Sequence, residues 1–173
     1  RAARIAEAVV KVVKVPVTVK MRRGWDKGSI NVLDFTRRME DSGAAMVAVH
    51  GRTRSMLYSG TADWDAIHKV KEQLTIPVIA NGDITGGEAA VRCLKRTGAD
   101  GVMIGRSVFG DPWIFQEVNA ALAGNNADDL FHAAVGVGGI VLRCGGAGRT
   151  CCPAGGTVMG TFFAHTLTFS PLS

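Results

Sequence analysis

Lys20, His50, Asn81, Gly82, Asp83, Gly105 and Arg106 have the types and spacing from which a binding site can be built. They close or directly follow four apolar runs: "VPVTVKM" (15–21), "AMVAVHG" (45–51), "IPVIANG" (76–82) and "DGVMIGR" (100–106). A strand needs neither a glycine nor a charge at its end, whereas a site at the strand ends needs both. Backbone N–H groups approach an anion closely only where no Cβ intervenes, which suits Gly82 and Gly105. Arg106 then offers a planar fork for bidentate contact with a phosphate. The segments "GDITGGEAA" and "GRSVFGDP" each lead into the start of a helix, where the dipole adds to the attraction. Either glycine alone reads as an ordinary turn residue. The two at equivalent points of successive strands favour a phosphate.

Lys20 taken singly reads as readily as a solvated strand-edge lysine. Inside a closed mouth its ammonium requires an acceptor, because an unpaired buried charge is costly. The N1–O2 edge of a reduced flavin suits it. A lone histidine is more often a satisfied core residue, but His50 precedes Gly51-Arg52-Thr53-Arg54, and that basic loop favours an anion-facing role. Asp63, Asp65 and Asp111 need no role beyond helix capping. Trp25, Trp64 and Trp113 read as packing anchors, with Trp25 beside "RRG" also placed to touch a substrate.

The elements that must position these groups follow from periodicity. The four runs carry little alternation, as expected of strands buried on both faces in a parallel sheet. Between them lie helical patterns. In "NVLDFTRRMEDSG" Val32, Phe35 and Met39 share a face, Asn31 and Asp34 resemble an N-terminal cap, and Gly43 supplies the stop. Ile67, Val70 and Leu74 form a stripe behind an Asp63 cap. "TGGEAAVRCLKRTG" opens with Thr85 and Glu88 at capping-box spacing and closes at Gly98. "DPWIFQEVNAAL" opens with Asp111 as cap and Pro112 at the first helical position.

A helix followed by four βα units is an α/β pattern, either an open doubly wound sheet or part of a (β/α)8 barrel. Polar residues at the ends of four successive strands are the barrel arrangement. A whole barrel takes roughly 250 residues, so the expected fold is the second half of one, with parallel strands. Half a barrel leaves two open sheet edges, and self-association of half-barrels is the expected escape.

Composition narrows the class. The 173 residues are 47% hydrophobic and 20% charged, with a net charge of +5, which favours an anionic partner only weakly. Of the 20 Lys and Arg, all but Arg143 and Arg149 fall within 1–124. No apolar run reaches the roughly 18 to 20 residues of a membrane span. The N-terminus reads as an amphipathic helix inside a longer protein, without a signal peptide. Cysteines at 93, 144, 151 and 152 form no CxxC, so no metal site is expected, and a reducing cytoplasm is. Residues 124–173 are Gly- and Cys-rich with no sustained helical face, and read as an atypical tail after a 1–123 domain.

Four motifs in order carry a resemblance: "VTVKMRRGWD", "VAVHGRTRSMLYSGTADW", "IPVIANGDI" and "GADGVMIGRSVFGDPWIF". They resemble the second half of the FMN-containing barrel of bacterial tRNA-dihydrouridine synthases, of the B-type pattern, over residues 1–123. The tail does not match the helical tRNA-binding domain with which that family continues. The resemblance implies reduction of a tRNA uridine to 5,6-dihydrouridine, with NADPH reducing the FMN. It assigns Lys20 to the flavin ring, His50 to a place near flavin and base, Asn81 and Asp83 to flavin binding with Gly82 between them, and Gly105-Arg106 to the phosphate. The family's general acid is a cysteine in the first half of the barrel, so no catalytic residue is expected in this chain. The target base must be unstacked to reach a flavin, and Arg22, Arg23, Arg52 and Arg54 are then expected to meet tRNA phosphates. Two other readings stand beside this one: an FMN barrel of the dihydroorotate dehydrogenase type, and an inactive half-barrel or weak phosphate-binding module.

Overall fold

The computed structural model describes residues 1–125, 140–142 and 166–169. In chain order its elements are α1 (Ala2–Val12), β1 (Thr18–Arg22), α2 (Val32–Asp41), β2 (Met46–His50), α3 (Trp64–Gln73), β3 (Val78–Asn81), α4 (Gly87–Thr97) and β4 (Gly101–Met103). A short 3₁₀ turn (Arg106–Val108) and α5 (Ile114–Asn125) follow, then β5 (Ile140–Leu142) and β6 (Thr166–Phe169). Strands β1 to β4 are parallel neighbours in chain order, each followed by a helix. Four successive βα units are half of what a (β/α)8 barrel contains, and this is the fold class of the chain.

Register fixes which side chains share a face. Arg22, His50, Asn81 and Met103 stand side by side across the sheet, and Lys20, Ala48, Ile79 and Gly101 form the row below. Residues two apart in a strand point the same way, so both rows lie on one face. The other face carries Val19, Met21, Val47, Val49, Val78, Ala80 and Val102, which join Ile67, Val70, Cys93, Leu94, Ile114 and Val118 of the helices in one core. Full burial of a side chain of this size contributes about 1.5 to 3 kcal/mol. The β-branched residues therefore hold the helices to the sheet. Of the Val, Ile and Met residues of these strands, Ile79 and Met103 lie on the polar face instead.

Helix ends differ from the sequence reading in two places. Thr85 and Glu88 do not form a capping box at α4. Its N-cap is Gly86 without a side-chain bond, and Glu117 of α5 accepts from Gly87 N–H at 2.8 Å. A carboxylate from the next helix thus does the work of a local cap. Asp111-Pro112 precede α5 rather than open it, because residues 111–113 form a turn in which Ile114 N–H donates to Asp111 O at 3.4 Å. Asp63 caps α3 as its position suggests, accepting from Ala66 N–H at 3.0 Å, and Gly98 ends α4 at φ 66°.

The sheet has no bare outer strand at β1 or β4. β6 pairs with β1 in parallel, and β5 pairs with β4 antiparallel. Two short pieces of the 124–173 segment therefore cover the edges that the sequence reading left open. The remainder of that segment, with Cys144, Cys151 and Cys152, lies outside the described residues. Among the described residues, no helix is long and apolar enough to cross a membrane.

Candidate functional site at the strand ends

The site rises from the two polar rows of the sheet. β1 runs two residues past Lys20, so Arg22 is level with His50 while Lys20 lies one row deeper. Lys20 is half-buried, and its ammonium has no hydrogen-bond or ion-pair partner among the described residues. Burial foremost, and the charge of Arg22, lower its pKa. Burial also dominates at His50. Together with Arg22, Lys20 and Arg52, and against the opposing pull of Asp83, it pushes the imidazole down to about 4. His50 is thus neutral at pH 7 and stands among three cations, which is a setting for an anion.

Asn81 is 8% exposed, and its Nδ2 donates to Met103 O at 2.7 Å, tying the ends of β3 and β4. After it the chain turns through Gly82 at φ 114° and Asp83 at φ 60°. A Cβ on Gly82 would stand 2.8 Å from both Ala62 Cβ and His50 Cδ2. Close packing against His50 therefore already requires glycine there, whatever the site binds. The Trp64 indole N–H donates to Gly82 O at 3.1 Å, so this tryptophan holds the turn as well as packing. Asp83 takes a close ion pair with Arg52 (Nη1 to Oδ1, 2.7 Å), a hydrogen bond from Arg52 Nη2 at 3.0 Å and another from Ala62 N–H at 2.7 Å. Burial alone would raise the Asp83 carboxyl, but these donors outweigh it and hold the pKa below the usual range.

Arg52 requires a correction. It was expected to face RNA, but it is 3% exposed. Besides Asp83, its guanidinium bonds Ser59 O at 3.0 Å and Gly60 O at 2.5 Å. Arg22 and Arg23 are likewise engaged within the chain. Arg22 Nη1 donates to Thr53 O at 2.8 Å and Leu57 O at 3.2 Å, and Arg23 Nη1 pairs with Asp63 Oδ2 at 2.6 Å. Arg22 and Arg52 hold the 51–63 loop by satisfying carbonyls that a tight loop would otherwise leave unpaired, and Arg23 holds its end through the Asp63 carboxylate. Arg54 alone of the four is exposed, 5.9 Å from the centroid of Trp25.

Gly105 and Arg106 stand at the end of β4. A Cβ added to Gly105 would meet nothing within 4 Å, so its approach is open. Arg106 is exposed, and its guanidinium lies 4.4 Å from the centroid of the Tyr58 ring. The sequence reading missed Tyr58: nothing in "SMLYSG" marks it, since its contact comes from a strand end far along the chain. Among the described residues, no group of His, Cys, Asp and Glu could hold a metal ion.

The family model for dihydrouridine synthase (Dus) matches residues 1–135. The chain belongs to the dihydrouridine synthase family. A probable tRNA-dihydrouridine synthase of Rickettsia conorii is 52% identical over 118 residues, which are 68% of this chain and 36% of the relative. The tRNA-dihydrouridine synthase B of Vibrio parahaemolyticus is 49% identical over 127 residues, 73% of this chain and 39% of the relative. The chain thus spans well under half the length of these curated dihydrouridine synthases. A mandelate oxidase structure with (S)-mandelic acid overlaps 69% of the chain and 43% of its own, at 22% identity and a TM-score of 0.49, below the level at which sites are compared.

Proposed function

We propose that this chain is part of a flavin-dependent enzyme that reduces uridine in tRNA to 5,6-dihydrouridine. The observation that supports it most is the half-buried Lys20 ammonium, unpartnered among the described residues and set beside a neutral His50. An anionic ligand would relieve the cost of that charge. The opening beside Gly105 and the nearby guanidinium of Arg106 fit the phosphate of FMN. In this reading Lys20 and His50 meet the ring, and Gly105 with Arg106 holds the phosphate. Asn81, Gly82 and Asp83 form the wall behind the ring, with Asp83 braced by Arg52. FMN, when bound, supplies hydride to the uracil ring and takes it in turn from NADPH. Arg54 and Trp25 face the RNA.

In this reading no cysteine among the described residues supplies the proton for the uracil ring. The one cysteine among the described residues, Cys93, lies in the helix-facing core, and burial pushes its thiol up to about 12. Such a thiol neither reaches a substrate nor exchanges a proton readily near neutral pH. Mass spectrometry of bulk tRNA from cells lacking the gene tests the proposal. Loss of a dihydrouridine is expected, and an unchanged profile in cells without a second family member would overturn it.

A further inference from the structure

Tyr58 and Arg106 come from distant parts of the chain and meet at the rim of the site. Tyr58 belongs to the loop after β2 and is 61% exposed. Arg106 begins the 3₁₀ turn after β4. The guanidinium lies over the ring at 4.4 Å. A cation on an aromatic face keeps its N–H edges free, unlike one in an ion pair with a carboxylate, where the fork itself is used. Arg106 has neither an ion pair nor a side-chain hydrogen bond among the described residues.

The loop that carries Tyr58 is itself fixed. Arg22 holds Leu57 O, and Arg52 holds Ser59 O and Gly60 O, on either side of Tyr58. Leu57 sits at φ 50°, a conformation that a leucine adopts only when its surroundings enforce it. The clamp therefore fixes the backbone from which the Tyr58 ring projects. The same loop bonds the segment bearing Trp25, through Arg54 N–H to Gly24 O at 2.9 Å and Ser55 N–H to Trp25 O at 2.8 Å.

We infer that Tyr58 is a positioning residue for Arg106, linking the phosphate grip at the end of β4 to the loop over 51–63. This rests on the proposed reading that Gly105-Arg106 takes a phosphate. The ring holds the guanidinium with its donors outward and removes rotamers that binding would otherwise have to freeze. Linkage is reciprocal: phosphate binding that fixes Arg106 also favours the clamped loop, and the clamped loop favours phosphate.

FMN and riboflavin, which differ by the phosphate alone, are titrated against the full-length protein carrying this chain and four variants. Arg106→Ala should lose most of the preference for FMN over riboflavin. Tyr58→Ala should weaken FMN binding about two- to fivefold, as expected for an exposed cation–π pair, and leave riboflavin unchanged. Tyr58→Phe keeps the ring and should bind as the parent does. In the double variant Tyr58→Ala/Arg106→Ala, the Tyr58 effect should vanish. Amide exchange over residues 53–60 should slow on adding FMN in the parent and not in Tyr58→Ala. If Arg106→Ala lowers FMN affinity while Tyr58→Ala matches the parent, the inference fails and the phosphate reading stands. If Tyr58→Phe is as weak as Tyr58→Ala, the hydroxyl acts and not the ring, which also overturns it. If Arg106→Ala binds FMN normally, the phosphate reading falls and takes the inference with it.

Discussion

Val19, Met21, Val47, Val49, Val78 and Val102 leave one face of the sheet toward the helices at 2% exposure or less. Lys20, Arg22, His50 and Asn81 leave the opposite face of the same strands, one residue out of phase. On the first face each side chain is fixed by volume, and any hydrophobe of similar shape would serve. On the second each is fixed by charge. Lys20, Arg22 and Arg52 crowd the neutral His50, and among the described residues only Asp83 opposes them closely. One backbone ladder supports both because the pleat alternates. The helix side thus supplies the stability that lets the other side keep a charge without a partner.

The largest contrast comes from placing one carboxylate on the helix face. Val49→Asp would bury an unpaired charge in the core at a position that is 0% exposed. That costs several kcal/mol, comparable to the roughly 5 to 15 kcal/mol that hold a domain together. Loss of the cooperative urea transition and of soluble expression is expected. A variant that melts within a few degrees of the parent would show that Val49 does not face the helices.

Next in size is the ion pair between the buried Arg52 and Asp83 on the polar side. Arg52→Ala removes a 3% exposed guanidinium, leaves Asp83 with one donor fewer and frees Ser59 O and Gly60 O. Asp83 is 30% exposed, so water recovers part of the loss. About 2 to 4 kcal/mol of destabilisation is expected by urea denaturation. Arg54→Ala should stay within about 0.5 kcal/mol, as an exposed position. Equal effects of the two would place Arg52 at the surface after all.

How much of this was legible in the sequence differs by face. The four strands, the helices between them and the strand-end residues followed from apolar runs and from where glycine and charge interrupt them. The two faces did not separate, because Ala48 and Ile79 make the polar face apolar lower down and mask the alternation. The roles of Arg22, Arg23 and Arg52 were misjudged for a related reason. An arginine looks the same in sequence whether it meets an RNA phosphate or binds carbonyls and carboxylates of its own chain, and the distinction lies in contacts 31 to 40 residues apart. Tyr58 left no trace in composition or spacing. The edge strands β5 and β6 were hidden because three or four residues carry too short a pattern to read.

A pH titration of stability sharpens the comparison further. His50 has an ordinary pKa near 6.5 in the unfolded chain and about 4 in the folded one. Between those values the unfolded state binds more protons, so stability is full above pH 6.5 and is lost as pH falls toward 4. The lowered pKa of Asp83 adds loss in the same direction at the acidic end. His50→Gln removes the histidine contribution, and its stability should be flatter than the parent's over pH 4.5–6.5. Parallel curves for the two proteins would mean that the imidazole is solvated in both states.

The smallest expected effect is also the most direct test of why Lys20 is there. Its folded pKa is depressed, so at pH 7 the folded state carries a charge it disfavours relative to the unfolded state. Lys20→Met keeps the length and the apolar stem and removes the ammonium. Free of ligand, the variant should be slightly more stable than the parent, by roughly 0.5 kcal/mol, since water still reaches part of the site. On the proposed reading the same substitution should weaken FMN binding, most of all in the reduced state, where the N1–O2 edge of the ring is negative and loses its cation. A structural lysine gives the opposite pattern, with stability lost and ligand affinity unchanged. Thermal melts with and without FMN separate the two: the gap between melting temperatures should narrow in Lys20→Met from both ends, the free form rising and the bound form falling. If only the free form changes, and falls, Lys20 supports the strand and the anion sits elsewhere.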